Sequence, residues 1–113
     1  MKIAIPTNNG KKVSVHTALS KYIAVIEIKN GAVTDRILIK NPVPQMAKEQ
    51  GGVGTEGSRG LGAGRIISEL ISGVDIFIAN DIGSGMKGNL SALGIKVVET
   101  DKQFIEEIIN EFL

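Results

Sequence analysis

The sequence predicts an α/β domain on a five-stranded mixed sheet: one strand, then a β-hairpin, then helix, strand, helix, strand and helix. Three observations lead there. Two runs rich in β-formers flank Asn30 and Gly31, a pair able to supply the positive-φ residues of a type I′ hairpin turn. From residue 65 onward, apolar residues at helical spacing alternate with short apolar runs, the pattern of a parallel crossover unit. Two glycine-rich connections, residues 51–64 and 80–85, each lead into a helical pattern. Half of the first is glycine, an entropic cost expected where main chain turns sharply or approaches a ligand, unless the loop is disordered.

The 113 residues suffice for a single domain spanning 1–113, with 42% hydrophobic and 22% charged residues, ordinary for a folded soluble chain. A formal charge of +1 disfavours nucleic acid as a partner. No apolar run reaches the length of a membrane span and the first residues lack a signal-peptide core, so a cytoplasmic protein with no membrane partner is the expectation. Without cysteine there can be no thiolate-held iron-sulfur cluster or thiolate zinc site, and one histidine makes an all-protein metal cage improbable.

Taken in order, residues 2–6 (KIAIP) form a buried strand, and Thr7, Asn8, Asn9 and Gly10 a turn. His16, the one histidine, follows in a polar stretch, either as a surface-loop residue or as a ligand. Residues 22–28 and 32–39 are the hairpin, and Asn41-Pro42-Val43-Pro44 ends it. A long connection with at most a short turn at 46–49 comes next. Ile66, Ile67, Leu70 and Ile71 mark a helix ended by Gly73; residues 74–79 (VDIFIA) suit a central parallel strand. Met86, Leu90 and Leu93 mark the second helix, up to Gly94, and residues 95–98 the last strand. Thr100 and Gln103 fit a capping box for a C-terminal helix whose apolar face is Phe104, Ile105, Ile108, Ile109 and Phe112.

The first strand and the strand at 74–79 are the candidates for adjacent central positions. Ligands of open α/β sheets bind beyond the carboxyl ends of such strands, which would gather Thr7, Asn8, Asn9, Asn80, Asp81 and the loop Gly83, Ser84, Gly85. His16 and the long glycine run, with Arg59 and Arg65, could close over that crevice. Gly83, Gly85 and Gly88 match G-x-G-x-x-G after a strand and at a helix start, but the remaining chain is too short for a dinucleotide domain. There is no phosphate-loop motif, no nucleophile elbow, and no carboxylate on the first strand for a two-metal site. What remains is a cleft of main-chain donors suited to a preformed anion, and binding without catalysis. The glycines could also serve only turns and caps.

The order and spacing of several strings resemble the dinitrogenase iron-molybdenum cofactor biosynthesis family, the small NifX-like and NifB C-terminal-like domains. These strings are KIAIPT, Ser14-Val15-His16, the strand and Asn-Gly turn at 22–31, Asn41-Pro42, Gly62-Ala63-Gly64-Arg65, VDIFIANDIGSG and ALGIKVVE. The resemblance covers nearly the whole chain. It implies a three-layer, ribonuclease H-like fold with three helices, and binding or carriage of an iron-sulfur or iron-molybdenum-type cluster without turnover. It places His16 at a frequent family histidine and Ile82 to Gly85 at the family's loop after the central strand; the expected cofactor-binding set also takes in Gly62, Gly64 and Arg65, with His16 as the metal-binding residue. Partners would be the cluster, or another small anion, with cluster donor and acceptor proteins. Thr17-Ala18-Leu19 stand where relatives often have Phe-Gly-Arg, and the long loop lacks the His or Cys of many relatives. The competing reading is a nucleotide- or phosphate-binding enzyme or sensor built on Gly83, Gly85 and Gly88.

Overall fold

A computed structural model describes residues 1–49 and 63–113. Its elements are β1 (Lys2–Thr7), β2 (Tyr22–Lys29), β3 (Ala32–Lys40), α1 (Val43–Glu49), α2 (Ala63–Leu70), β4 (Ile76–Ala79), α3 (Ser84–Ala92), β5 (Lys96–Glu99) and α4 (Ile105–Asn110). They make a five-stranded mixed sheet in the order β3-β2-β1-β4-β5. β1 is antiparallel to β2 and parallel to β4, β2 is antiparallel to β3, and β4 is parallel to β5. The expected adjacency of the first strand and the strand near residue 76 is therefore present. The α/β architecture is as expected and is compatible with the ribonuclease H-like label.

Alternation along the strands sorts the core into two layers. Ala4, Ile23, Val25, Phe77 and Ala79 pack with Val43 of α1, Ile67 and Ile71 of and after α2, and Met86 and Leu90 of α3. Ile3, Ile5, Ala24, Ile26, Ile28 and Ile78 face Ile105, Ile108 and Ile109 of α4. At the hairpin tip, Asn30 (φ 54°) and Gly31 (φ 73°) both take positive φ, as a type I′ turn requires. Gly73 and Gly94, at φ 93° and 78°, end their helices in the left-handed conformation that suits glycine.

Three expectations are corrected. Four helices, not three, occur among the described residues, because residues 43–49 form α1 rather than a loop with a short turn. Pro42 and Pro44 do not prevent it. The Asn41 side-chain oxygen accepts from the Val43 N–H at 3.1 Å, and Pro44 falls in the first turn, where a missing N–H costs nothing. Thr100 and Gln103 do not cap α4: the Thr100 hydroxyl accepts from Lys102 N–H, and Gln103 C=O from Val13 N–H. The helix starts later, with the Glu107 carboxylate accepting from Phe104 N–H at 3.2 Å. Two side chains assigned to apolar stripes lie outside the core: Leu93 is the C-cap of α3, and Phe104 sits exposed under the Lys12 ammonium, 5.5 Å from its ring centre.

Candidate functional site

The site lies where β1 and β4 part. Pro6 has no N–H to give a neighbouring strand, and the β1–β4 ladder stops at Ala4 and Phe77. The connection after β1 returns through β2 on one side, while that after β4 continues through α3 to β5 on the other. This divergence is the topological switch point at which open α/β sheets take up ligands.

Two loops form the rim, with the first turn of α2 as the third element. In the first, the buried Thr7 hydroxyl donates to Lys12 C=O and accepts from the N–H groups of Asn9 and Gly10, closing a tight turn. Asn9 Oδ1 accepts from Lys11 and Lys12 N–H at 2.9 Å each, and Asn8 Oδ1 from Lys21 N–H at 2.9 Å. The chain then crosses the strand ends. Val13 packs in the α4 layer, whereas Ala18 packs in the other, so exposed His16 stands at the crossing. Ser14 Oγ donates to His16 C=O at 3.0 Å, and the buried Thr17 hydroxyl donates to Asp81 C=O. Buried Asn41 fixes the far side of this loop, its Nδ2 donating to Ala18 and Ser20 C=O at 3.0 and 2.8 Å.

The second loop runs from Asn80 to Gly85. Asn80 Nδ2 donates to Thr100 and Lys102 C=O at 2.8 and 3.1 Å, pinning the exit of β5. Gly83 is the N-cap of α3 in an extended conformation (φ −65°, ψ 154°) and makes no side-chain cap. Among the described residues, the main-chain N–H groups of Gly83, Ser84 and Gly85 have no acceptor, and all three residues are exposed. The third contribution comes from α2, which leads through residues 71–75 into the start of β4, so that its first turn lies toward the opposite end of that strand. Gly64 and Arg65 are in that turn. The Arg65 side chain is exposed and lies 3.7 Å from Glu69, a surface pair. Gly62, Arg59 and the rest of the glycine run through residue 62 lie outside the described residues.

The structure thus brings Thr7, Asn8, Asn9, His16, Asn80, Asp81, Gly83, Ser84 and Gly85 to one rim. The Thr7 hydroxyl and the Asn8 and Asn9 side-chain oxygens bond main-chain groups of their own loop, and Asn80 Nδ2 bonds carbonyls beyond β5, so these groups help to shape the rim. Sequence reasoning missed Thr17, the tie between the His16 loop and the Asp81 loop. It also missed the exposed cations Lys11, Lys12 and Lys21 beside the turn. The Lys11-Lys12 doublet directly after an Asn-Asn-Gly turn was the available signal. Exposed Asp81 is the carboxylate of the Asn80–Gly85 loop. No group of three or more His, Cys, Asp or Glu side chains among the described residues is arranged to hold a metal ion, and no described helix is long and apolar enough to cross a membrane.

Adding a Cβ at Gly83, Gly85 or Gly88 would meet nothing within 4 Å among the described residues. The third glycine of a dinucleotide fingerprint serves close helix–strand packing, and Gly88 has no such contact.

Comparison with known proteins gives a consistent picture. An uncharacterized protein of Methanocaldococcus jannaschii, MJ0580, is 29% identical over 113 residues, covering all of this chain and 86% of its own. The crystal structure of PH0822 superposes with a TM-score of 0.74 at 23% identity, covering 99% of this chain and 89% of that one. The apo form of the orange protein from Desulfovibrio gigas superposes with a TM-score of 0.65 at 16% identity, covering 98% and 85% respectively. At these identities the two structures establish the fold alone. The family described as dinitrogenase iron-molybdenum cofactor matches residues 1–113, and the chain belongs to that family.

Proposed function

We propose that this protein binds and carries an anionic iron-sulfur or molybdenum-containing cluster, without turning it over, at the rim where β1 and β4 diverge. The observation that carries the reading is the row of N–H groups at Gly83, Ser84 and Gly85 that have no acceptor among the described residues, at a helix start tied through Thr17 to the loop of exposed His16. Amide donors suit the sulfide or oxide surface of a preassembled cluster, which brings its own negative charge and needs no cysteine. Exposed Lys11, Lys12 and Lys21 add positive charge to the loop after β1, and the His16 imidazole of that loop offers one exchangeable metal ligand. Each helix-terminus interaction is worth about 0.3–1 kcal/mol, so several converging donors give reversible binding, as a carrier that hands its cargo to donor and acceptor proteins requires.

The test is anaerobic titration of the full chain with tetrathiomolybdate and with an iron-molybdenum-sulfur cluster. A charge-transfer absorption band that weakens in His16→Ala is the expected result; no binding of either probe removes the proposal. A thermal-shift screen with nucleotides runs beside it. Stabilisation by a nucleotide, roughly 2.7 kcal/mol at a hundred times its dissociation constant, would favour the nucleotide-sensor reading instead.

A further inference from the structure

The two edges of the sheet are unlike. β5 has four residues, whereas β3 has nine and is exposed along most of its length. Short edges are safe from unwanted pairing, and long regular ones invite it. The ladder fixes which main-chain groups of β3 are free. Asn41 N–H donates to Lys21 C=O in the same register as the pairs Tyr22–Lys40 and Ile23–Ile39. Residues 37 and 39 therefore bond to β2, and the N–H and C=O groups of Arg36, Leu38 and Lys40 point away from the sheet. By the same alternation these three side chains share the α4 face, where Arg36 pairs with Glu106. The bulge that interrupts pairing beside Ile28 is confined to the hairpin end, leaving residues 36–40 regular. Ile37 and Leu38, 47% and 49% exposed, lie within that stretch. Gly10 abuts Leu38, so the loop bearing Lys11 borders the same edge.

A second copy of this chain fits the edge poorly. Two-fold pairing about Leu38 sets Arg36 opposite Lys40, and pairing about Arg36 sets it opposite itself. Pairing about Ile37 sets Lys40 against the bulge near Thr34. An acidic strand sets opposite charge against Lys40 and against Arg36, which would share its guanidinium with Glu106. We propose that residues 36–40 of β3 take up an extended acidic segment of a partner polypeptide as an additional strand. Carboxylates four residues apart would face Arg36 and Lys40, with an apolar side chain midway between them against Leu38. Main-chain bonds to the outward groups would provide affinity, and the acidic-x-apolar-x-acidic spacing selectivity. This edge adjoins the Thr7–Lys12 turn but does not use the Gly83–Gly85 amides, and its failure would leave the carrier reading intact.

The experiment uses the full nitrogen-labelled chain and two synthetic peptides of alternating threonine and valine. One bears glutamate and the other lysine at the positions that would face Arg36 and Lys40. The glutamate peptide is expected to shift the amide resonances of Arg36, Leu38 and Lys40 and to bind about tenfold more tightly than the lysine peptide. That preference should fall with added salt and in Lys40→Glu. Leu38→Pro deletes an outward N–H without deleting a bond to β2, and should abolish binding while the chain stays folded. Equal affinity for both peptides, or shifts confined to other elements, would overturn the proposal. So would protection of these amides that grows with protein concentration in the absence of peptide, because the occupant would then be a second copy.

Discussion

The hydroxyl of Thr17 donates to the carbonyl of Asp81, joining two loops 64 residues apart in the chain. Thr17 is buried and cannot exchange this partner for water, so the bond holds the His16 loop against the start of α3. Thr17→Val keeps the shape and removes the donor, leaving the Asp81 carbonyl short of a partner. It should lower stability by about 1–3 kcal/mol in urea unfolding. Amide exchange should quicken at residues 15–18 and 80–85 before it does in the strands. Unchanged exchange there would show that the loops are held apart from this bond.

Gly88 lies exposed within α3, with open space where a Cβ would stand. Gly88→Ala should therefore stabilise the protein by about 0.5–1 kcal/mol, because alanine favours helix and restricts the unfolded chain. A dinucleotide site would need this glycine, a simple helix would not. Thermal unfolding decides the sign. At Gly94, with φ 78°, the same substitution should destabilise by roughly 1 kcal/mol although nothing lies within 4 Å of the new Cβ.

The Thr34 hydroxyl donates to Glu27 Oε1 at 3.0 Å, and this bond holds the Glu27 carboxyl below the usual glutamate range, with Lys29 helping against a partial desolvation that acts the other way. A carboxyl depressed in the folded state stabilises it above the ordinary glutamate pKa. The contribution is lost as pH falls through the lowered value. Thr34→Val should raise the Glu27 titration midpoint, read by NMR, toward the ordinary range. It should flatten the stability difference from the parent chain only in acid, with the two proteins keeping a constant gap above it.

Much of the fold was legible because its signals are local. Asn30-Gly31 can turn a hairpin only one way, and Ile66, Ile67, Leu70 and Ile71 repeat at a helix's own spacing. α1 escaped because Pro42 and Pro44 read as a stop, although proline is equally at home in a first helical turn. Whether Asn41 would cap that turn depended on its burial against Ala18 and Ser20, a tertiary fact. The rim was legible as a place but not as a set of donors. An asparagine that closes a turn and one that meets a ligand have the same chemistry. Only the partners of Asn8, Asn9 and Asn80, up to 22 residues away, show that theirs are within the chain. The glycine loop could be read further, since a main-chain N–H at a helix start does not depend on which partner a side chain finds.

That loop gives the sharpest test of the rim. Ser84 is the first residue of α3 and its N–H has no acceptor among the described residues, while Gly83 before it is already extended at φ −65° and ψ 154°. Proline is favoured at a first helical position, and it requires the preceding residue to be extended, so Ser84→Pro should fit without strain. The unfolded chain loses freedom and the folded chain loses no internal bond, so stability should hold or rise by about 0.4–1 kcal/mol. An anion bound by these amides loses one donor and gains a ring in its place, and affinity for tetrathiomolybdate should fall about tenfold, the equivalent of 1.4 kcal/mol. Ser84→Ala, which keeps the N–H and removes the hydroxyl, should bind as the parent does. If the alanine variant loses affinity and the proline variant keeps it, the side chain rather than the main chain meets the ligand.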